Sequence, residues 1–504
     1  MTSAEASRFR PLVIIAFFVI ITVAAVRPLG DVDYFWHLAT GRWIHEHGAL
    51  PRTDPFGAGT DPVPWINGEW LFQYLIYPLH AAFGVNGIVI VRVLFIGALF
   101  TALLLWCERK TKSLALSLGL CTIAWFGAIW ALSERPASFA VLFVVLAIGL
   151  ALREPSLPTI VIYVLLTIVW INFHPSALLA PVIAAIGLIG RIGLIGLIGR
   201  PTTSYRSYLS YSSCMVAASA IALLVNPYGI EGILAPQRLV HWVTTGPFKN
   251  IEWQPASPAT HPFLFAMIAL ALLVFAADKE RRQHIPHLLL IVLFGAMAIR
   301  FLRNHGMFYS VWPMLIAPMF PPLANVRLQR IVGAAVFAFL LIFLATHTPS
   351  LGINEQILPV RAAARLAALH PPGNIFCASH LGGYLIWTFY PERRVVNDGR
   401  NELHHAFLTE YAAARRNSRD WRQLLDRYRI TTAVADYEPP MRLKDARSGQ
   451  TVAIPASRVF FPRSQWALIA FDDAAMVFAR RAAWQNRDLG AIEIRGVDPE
   501  RQAE

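Results

Sequence analysis

The chain has 504 residues, of which 56% are hydrophobic and only 15% are charged. Soluble proteins carry more charge and fewer apolar runs, so this composition excludes an ordinary soluble globular protein. The formal net charge is +13, but much of the positive charge lies in short loops between apolar runs, where it sets membrane orientation. We therefore predict no nucleic-acid partner.

Apolar runs recur to about residue 346 and then stop. This pattern predicts a polytopic α-helical membrane protein of about eleven transmembrane helices, residues 1–346, followed by a separate domain. Several runs are shorter than the roughly twenty residues that cross a bilayer upright. The predicted spans are Pro11–Val26, Gly87–Cys107, Ser113–Leu132, Ala137–Leu152, Thr159–Asn172, Ala177–Ile198, Ser212–Val225, Pro262–Ala276, Ile285–Ile299, Met307–Phe320 and Ile331–Ala345.

Basic residues predict the orientation of these spans. If the spans alternate, the basic clusters fall on one side, which the positive-inside rule makes cytoplasmic. We expect a multi-pass membrane protein with a cytoplasmic N terminus. The first external loop, residues 28–86, and the C-terminal domain are then extracytoplasmic. The first apolar run also fits a cleaved signal peptide, but cleavage would remove the helix that anchors the first loop. The basic residues are Arg8, Arg10, Arg109, Lys110, Lys112, Arg153, Arg200, Arg206, Lys279, Arg281, Arg282, Arg327 and Arg330.

The first external loop is acidic and rich in aromatic residues. Apolar residues at helical spacing predict two helices in it, Tyr34–Glu46 and Trp70–Phe83, which we expect to lie in the membrane interface. Asp31 and Asp33 stand at the start of the first helix. An acidic residue there can cap free backbone N–H groups, and Asp31 fits this structural role. Asp33 fits it less well and is the better candidate for a chemical role.

Short motifs follow one another in a recognisable order. They are Asp31-Val32-Asp33-Tyr34-Phe35-Trp36-His37, Arg135-Pro136, Trp170-Ile171-Asn172-Phe173-His174, Asn226-Pro227-Tyr228-Gly229, Glu252-Trp253-Gln254-Pro255, Gly382-Gly383-Tyr384-Leu385-Ile386-Trp387 and Asn397-Asp398-Gly399-Arg400. In this order, on a chain with an acidic first external loop and an external C-terminal domain, they resemble the GT-C glycosyltransferase superfamily. The tail is distantly similar to that of the oligosaccharyltransferase catalytic subunit, although the Trp-Trp-Asp-Tyr-Gly motif of that subunit is absent.

The resemblance implies an inverting glycosyltransferase of a bacterial inner (plasma) membrane that moves a sugar from a polyprenyl-phosphate or polyprenyl-diphosphate carrier to a glycan, lipid or protein acceptor on the extracytoplasmic face. It also implies a first-loop carboxylate as catalytic base, a role we assign to Asp33, with Asp31 as the alternative. An acceptor hydroxyl is a poor nucleophile until a base takes its proton. Some relatives use a divalent cation, Mg²⁺ or Mn²⁺, but the hard oxygen ligands here are scattered, so no metal site is predicted.

Further candidate site residues lie in other parts of the external loops. The departing phosphate needs positive charge, so Arg300, Arg303 and His305, at the external end of the ninth span, are candidates for binding it. The alternative is that the arginines reach the lipid head groups. For Glu69 and His174, a helix cap and a structural hydrogen bond are the alternatives. The candidate substrate-binding residues are Trp36, His37, Glu69, His174, Glu252 and Trp253.

Residues 347–484 are predicted to form an extracytoplasmic α/β domain, and residues 485–504 a polar tail. Asp398-Gly399 is interpreted as a turn. Predicted strands are Asn374–Ser379, Arg394–Asn397, Thr431–Asp436, Ala467–Phe471 and Met476–Ala479, and predicted helices are Pro359–His370, Glu402–Arg416 and Asp420–Tyr428.

Two other functions stay open at this point: a non-enzymatic protein that binds or transports lipid-linked glycans, and an inactive GT-C-fold partner in an assembly. A transporter usually shows two matching halves, and no such repeat is visible in this sequence. Arg135 is a further candidate for binding the phosphate, but Glu134 and Arg135 fit better as the cap of a tight external turn, so Arg135 is assigned no chemical role.

Overall fold

The computed structural model describes residues 3–59, 62–198, 203–246, 250–444, 450–485, 488–497 and 499–501. Over these ranges the chain forms a helical bundle up to Thr346 and a smaller domain with a mixed sheet after it. The mostly helical class and the C-terminal sheet domain agree with the sequence prediction.

Each predicted span overlaps one α-helix of the bundle, and two further helices, Tyr34–His47 and Ile230–Thr245, fall in predicted loops. Over the described ranges, three helical stretches are long and apolar enough to cross a membrane by length and composition, and seven shorter apolar helices accompany them. The number of spans therefore stays a prediction. The helices are α1 (Ser3–Ala24), α2 (Tyr34–His47), α3 (Trp70–Thr111), α4 (Leu114–Ala128), α5 (Pro136–Ala151), α6 (Leu157–Phe173), α7 (Leu179–Ile198), α8 (Thr203–Ala222), α9 (Ile230–Thr245), α10 (Pro262–Ala277), α11 (Ile285–Arg300), α12 (His305–Ile316) and α13 (Val326–Thr346).

The long helix α3 is broken at Gly84, where φ is 62° and ψ is −167°. Glycine adopts this left-handed backbone readily because it has no Cβ. The part of α3 before the break corresponds to the predicted loop helix Trp70–Phe83, and the part after it contains the predicted span Gly87–Cys107. The break therefore separates the predicted loop helix from the predicted span by a kink.

Helix α12 forms the centre of the bundle. Every residue of α12 is buried, and the helix packs against α4, α5 and α11. The Trp312 indole N–H donates to the carbonyl of Met267 on α10, at 2.9 Å. A helix that is apolar all round is stable only when protein or lipid surrounds it, and here the surrounding is protein.

A buried ion pair joins three helix ends beneath the first external loop. Arg92 on α3 and Glu134, which precedes α5, are each about 1% exposed, and the Arg92 Nη1 donates to the Glu134 carboxylate. The Arg92 Nη2 also donates to the carbonyls of Ala25 and Arg27, at 3.2 and 2.9 Å. Two buried charges are tolerated because each compensates the other.

We expect Glu134→Ala to lower the free energy of unfolding by about 3–5 kcal/mol, because it leaves the Arg92 charge buried and unpaired. Thermal unfolding of the full chain in detergent measures this. Glu154→Ala is the control, since Glu154 is exposed and an exposed substitution changes stability by about 0.5 kcal/mol or less. Equal melting temperatures for the two variants would contradict the prediction.

The C-terminal domain is built on a four-stranded sheet in the order β1-β2-β6-β5. β1 and β2 are parallel, and the other two pairings are antiparallel. A separate hairpin, β3–β4, was not predicted. The elements are α14 (Val360–Ala368), β1 (Asn374–Cys377), α15 (Ser379–Phe389), α16 (His405–Ala414), α17 (Ser418–Arg427), β2 (Ile430–Ala435), β3 (Met441–Lys444), β4 (Thr451–Ile454), α18 (Ala456–Phe460), β5 (Trp466–Phe471), β6 (Met476–Arg480) and α19 (Leu489–Ile492).

The prediction of a strand over Arg394–Asn397 is wrong. This segment makes only isolated bridges, in which Val395 pairs with Ile375 of β1 and with Gly57 of the first external loop. Since Val395 pairs with two different parts of the chain, the segment forms no regular ladder of backbone hydrogen bonds with β1. The segment thereby links the C-terminal domain to the first loop.

The C-terminal domain packs directly on helix α2. The Phe35 and Tyr384 rings meet edge to face at 4.8 Å, and the Arg42 guanidinium lies 4.8 Å from the Trp387 ring. Tyr34, Phe35 and Trp36 are buried in protein, between α3 on one side and α15 on the other. The C-terminal domain covers these aromatic rings, and the expected position of α2 in the membrane interface stays a prediction.

Candidate active site

Five loop segments meet at one end of the bundle. The structure brings together the segment before α2, the turn before α5, the segment after α6, the short 3₁₀ helix Ile251–Trp253 and the short 3₁₀ helix Leu302–Asn304. These are the segments that the alternating spans place on the extracytoplasmic side. The residues that they contribute are Asp31, Asp33, Arg135, His174, Glu252 and Arg303.

Arg135 lies at the centre of an ionic cluster. Its Nε is 2.6 Å from Asp31 Oδ2, and its Nη1 is 2.7 Å from Glu252 Oε1 and 3.6 Å from Asp33 Oδ2. Pro136 begins α5 and favours an extended backbone at the residue before it, which Arg135 adopts with φ −113° and ψ 160°. Arg135 therefore pairs with carboxylates of two other segments, whereas the sequence favoured a turn-capping role for it.

Both oxygens of the Asp31 side chain are engaged in contacts within the protein. The side chain is not exposed, one oxygen pairs with Arg135, and the other accepts a 2.9 Å hydrogen bond from the Asp33 backbone N–H. Although burial alone would raise it, the Arg135 charge and the hydrogen bonds hold the pKa of Asp31 below its usual value. Asp31 is therefore an ionised anchor that holds Arg135 and the turn before α2.

Asp33 is oriented but accessible. Its side chain is 25% exposed, and its Oδ1 accepts a 3.1 Å hydrogen bond from the Trp36 indole N–H. Burial, together with the negative charges of Asp31 and Glu252, raises the pKa of Asp33 to about 6 against the opposing effect of Arg135. Asp33 precedes α2 but makes no side-chain cap, so its carboxylate is available to a ligand.

Glu69 faces two histidines across the same cleft. Its Oε1 is 3.5 Å from His174 Nε2, and its Oε2 is 3.9 Å from His37 Nε2. His174 Nδ1 lies 3.0 Å from the Ser176 backbone N–H; it accepts this bond, so the proton of the neutral ring is on Nε2. Burial raises the pKa of Glu69 to about 8. Glu69 makes no cap hydrogen bond at the start of α3, although a cap was one interpretation.

The three residues predicted to bind phosphate are placed differently. The Arg303 guanidinium lies 4.4 Å from the Trp253 ring, and after burial its charge is the main cause that lowers the pKa of His174 to about 3. Arg300 is exposed, with its guanidinium 4.8 Å from the Phe301 ring. His305 is buried, and its Nε2 is 3.2 Å from the Ala298 carbonyl. Of the three, Arg303 is the one brought close to Glu69 and His174.

The C-terminal domain adds a residue that sequence analysis did not assign. Glu402 is exposed, and its charge is close enough to raise the pKa of Glu69. A small cleft lies next to Glu69 and His174 along the chain and is lined by Gly68, Trp70 and Asn172, among others. Over the described residues, His, Cys, Asp and Glu side chains form no group of three or more that could hold a metal ion.

Comparisons with known proteins agree with this architecture. No family model and no curated protein matches the sequence. The archaeal oligosaccharyltransferase AglB from Archaeoglobus fulgidus, in complex with an inhibitory peptide and a dolichol-phosphate, matches with a TM-score of 0.55 at 10% identity, over 89% of this chain and 74% of that chain. The Archaeoglobus fulgidus oligosaccharyltransferase tethered to an acceptor peptide matches with a TM-score of 0.55 at 11% identity, over the same shares.

A further match is ArnT from Cupriavidus metallidurans bound to undecaprenyl phosphate, with a TM-score of 0.48 at 13% identity, over 95% of this chain and 98% of that chain. The two archaeal structures reproduce both the bundle and most of the length of this chain. At this identity the likeness concerns the fold. The chain has a GT-C-like fold.

Proposed function

We propose that this chain is an inverting membrane glycosyltransferase that moves a sugar from a polyprenyl-phosphate or polyprenyl-diphosphate carrier to a glycan, lipid or protein acceptor. The site faces the extracytoplasmic side of a bacterial inner membrane. The observation that carries the proposal is Asp33: an oriented, accessible carboxylate where the external loops meet in a GT-C-like fold. One structural neighbour was solved with a dolichol-phosphate, which supports a lipid phosphate as the leaving group.

In the proposed reaction, Asp33 takes the proton of an acceptor hydroxyl as the hydroxyl oxygen attacks the anomeric carbon. The bond from that carbon to the carrier phosphate breaks, and its electron pair stays on the phosphate oxygen. Inversion follows from this single displacement. Because Asp31 is fully buried against Arg135, Asp33 is the better base of the two.

The remaining cluster supports substrate binding. Arg303 supplies positive charge for the departing phosphate, next to the Trp253 ring. The Glu69 carboxyl lies 3.5 Å from His174 Nε2 and 3.9 Å from His37 Nε2, longer than a direct hydrogen bond, so these groups can bind sugar hydroxyls. Glu252 holds Arg135 in place. No step is assigned to a metal ion, because the described residues offer no such ligand set.

The direct test is transfer itself. Membranes of a strain that lacks this gene, with and without the full chain supplied on a plasmid, are incubated with radiolabelled lipid-linked sugars extracted from the wild-type strain. We expect label to leave the lipid fraction only when the chain is present, and glycan profiling of the two strains to identify the acceptor. Label that stays in the lipid fraction at wild-type protein levels would favour the non-enzymatic alternatives.

We expect the transfer rate to fall as the pH is lowered through about 6. Asp33 must be ionised to accept a proton, and burial raises its pKa to about 6, so the base is active above this pH and protonated below it. Initial rates between pH 5 and 8 measure this acidic limb of the pH–rate profile. A rate that stays constant down to pH 5, with the protein still folded, would contradict the role of Asp33.

Arg303→Ala is expected to weaken the apparent affinity for the lipid-linked donor by about 10–100-fold, the equivalent of one charge-assisted contact of about 1.5–3 kcal/mol. The KM for the donor in the transfer assay measures this. Arg300→Ala is the matched comparison, because Arg300 is exposed at the end of α11. Equal increases for both variants would indicate that the two arginines act through the lipid head groups instead.

A further inference from the structure

A turn of the C-terminal domain contacts the side chain of Asp33. A Cβ atom added to Gly399 would overlap Asp33 Oδ1 and would lie 3.5 Å from the Trp36 Nε1. These are the two atoms of the hydrogen bond that orients the carboxylate. Any side chain at this position would therefore have to displace the Asp33 carboxylate, while the backbone conformation itself does not call for glycine.

The same turn is held from behind by helix α15. A Cβ atom on Gly382 would overlap the Asn397 carbonyl oxygen and lie 2.6 Å from the Asp398 Cα. A Cβ atom on Gly383 would lie 2.7 Å from the Val32 carbonyl oxygen. Since two consecutive glycines let α15 approach both the turn and the segment before α2, the turn has no room to retreat from Asp33.

Arg400 locks the turn to the first external loop. Its Nε and Nη2 donate to the two Asp398 oxygens at 2.9 and 2.6 Å, and its Nη1 donates to Asp54 Oδ1 at 2.8 Å. Its side chain has no exposed surface, and the guanidinium lies 4.8 Å from the Trp65 ring. His404 Nε2 completes the cluster at 2.8 Å from Asp398 Oδ2. Arg400 thus joins two carboxylates from distant parts of the chain.

We propose that the Asn397–Arg400 turn is a positioning element for the Asp33 carboxylate, which presses Asp33 against the Trp36 indole and is itself held by Arg400. The catalytic consequence rests on the proposed function, whereas the positioning does not. Under this proposal the C-terminal domain is part of the active site, because Asp33 takes its orientation only when that domain is docked.

The test follows the protonation of Asp33 without requiring sugar transfer. The full chain in detergent is treated with a water-soluble carbodiimide and glycine ethyl ester, which modify protonated carboxyls, and the label on Asp33 is measured by peptide mass spectrometry between pH 4.5 and 8. In Gly399→Ala the added methyl group displaces the carboxylate from the Trp36 N–H. Losing a hydrogen bond to the charged form should raise the labelling midpoint by about 0.5–1 pH unit.

Two further variants keep the proposal testable if Gly399→Ala does not fold. Trp36→Phe removes the indole N–H together with part of the ring, keeps an aromatic side chain, and should raise the midpoint in the same direction. Arg400→Lys keeps the charge but cannot join both carboxylates, and should raise it too. Gly119→Ala is the control, because its added Cβ would meet Val332 Cγ1 at an ordinary 3.6 Å, and its midpoint should equal that of the wild type.

Folded variants whose Asp33 midpoint matches the wild type would overturn the proposal. In the transfer assay we expect Gly399→Ala to lower kcat at least tenfold, with the KM for the donor within twofold of the wild type. A shifted midpoint in a protein whose wild type transfers no sugar would uphold the positioning and refute the proposed function, so the two ideas fail separately.

Discussion

Asp33→Asn is expected to lower the turnover of sugar transfer by about 10²–10⁴-fold, the contribution of a positioned general base. The amide keeps the shape of the side chain and one acceptor oxygen for the Trp36 indole N–H, but it cannot take a proton. Because the side chain is partly exposed and Arg135 keeps Asp31 and Glu252 as partners, we expect the melting temperature to change little. Initial rates at pH 7.5 in the membrane assay measure the effect.

The control for this substitution is Asp420→Asn, an exposed aspartate of α17 that should leave turnover unchanged. Asp31→Asn is the informative contrast. Its carboxylate is buried and bonds Arg135 at 2.6 Å, so we expect a loss of stability of about 1–3 kcal/mol from a broken charged hydrogen bond. Full activity in Asp33→Asn, together with inactive but stable Asp31→Asn, would transfer the role of base to Asp31.

Arg135→Met is expected to move the acidic limb of the transfer rate upward by about one pH unit. The substitution leaves three carboxylates without their shared cation, Asp31, Asp33 and Glu252. Arg135 is the main group that lowers the pKa of Asp33 against burial, so its removal raises that pKa further above 6. The fraction of ionised base at neutral pH then falls, and so does the rate. The pH profile of initial rates measures the shift.

The same variant should lose about 3–5 kcal/mol of folding free energy, because Asp31 becomes a buried, unpaired charge. Arg135→Lys separates the two effects: it restores one positive charge but not the geometry that reaches all three carboxylates, so its limb should lie between those of the wild type and Arg135→Met. Arg282→Met, at an exposed arginine between α10 and α11, is the control. An unshifted limb in folded Arg135→Met would show that Arg135 does not tune Asp33.

Local patterns along the chain predicted much of the fold. The helix predicted over Tyr34–Glu46 is α2, Tyr34–His47, and the helix predicted over Trp70–Phe83 ends at the break at Gly84. The alternation of spans predicted that the loops carrying Asp31, His174, Glu252 and Arg303 share one side, and they meet in the structure. The spacing of apolar residues is a local property, and the charge of a loop is a sum over its residues. A single sequence is therefore enough to predict helices and the side on which loops lie.

The partners of individual polar side chains could not be predicted in this way. Arg135 reads locally as a residue before a proline, yet its partners Asp31 and Glu252 lie 104 and 117 residues away. His305 and Arg303 are neighbours in sequence, but the histidine turns to the Ala298 carbonyl and the arginine to Trp253. The direction that a side chain takes at a helix end depends on the groups that pack around it. A local stretch of sequence does not contain that information.

By itself, the amino-acid sequence determined that the chain alternates apolar helices, carries an acidic first external loop with Asp31 and Asp33, and ends in a domain with strands. Only the tertiary structure decided that Asp31 is buried and paired, that Asp33 is accessible and held by Trp36, and that Gly399 of the C-terminal domain lies against it. The physical reason is that helix formation follows from spacing along the chain, whereas the ionisation and orientation of a carboxylate also depend on charges and close packing contributed by distant residues such as Arg135, Glu252 and Gly399.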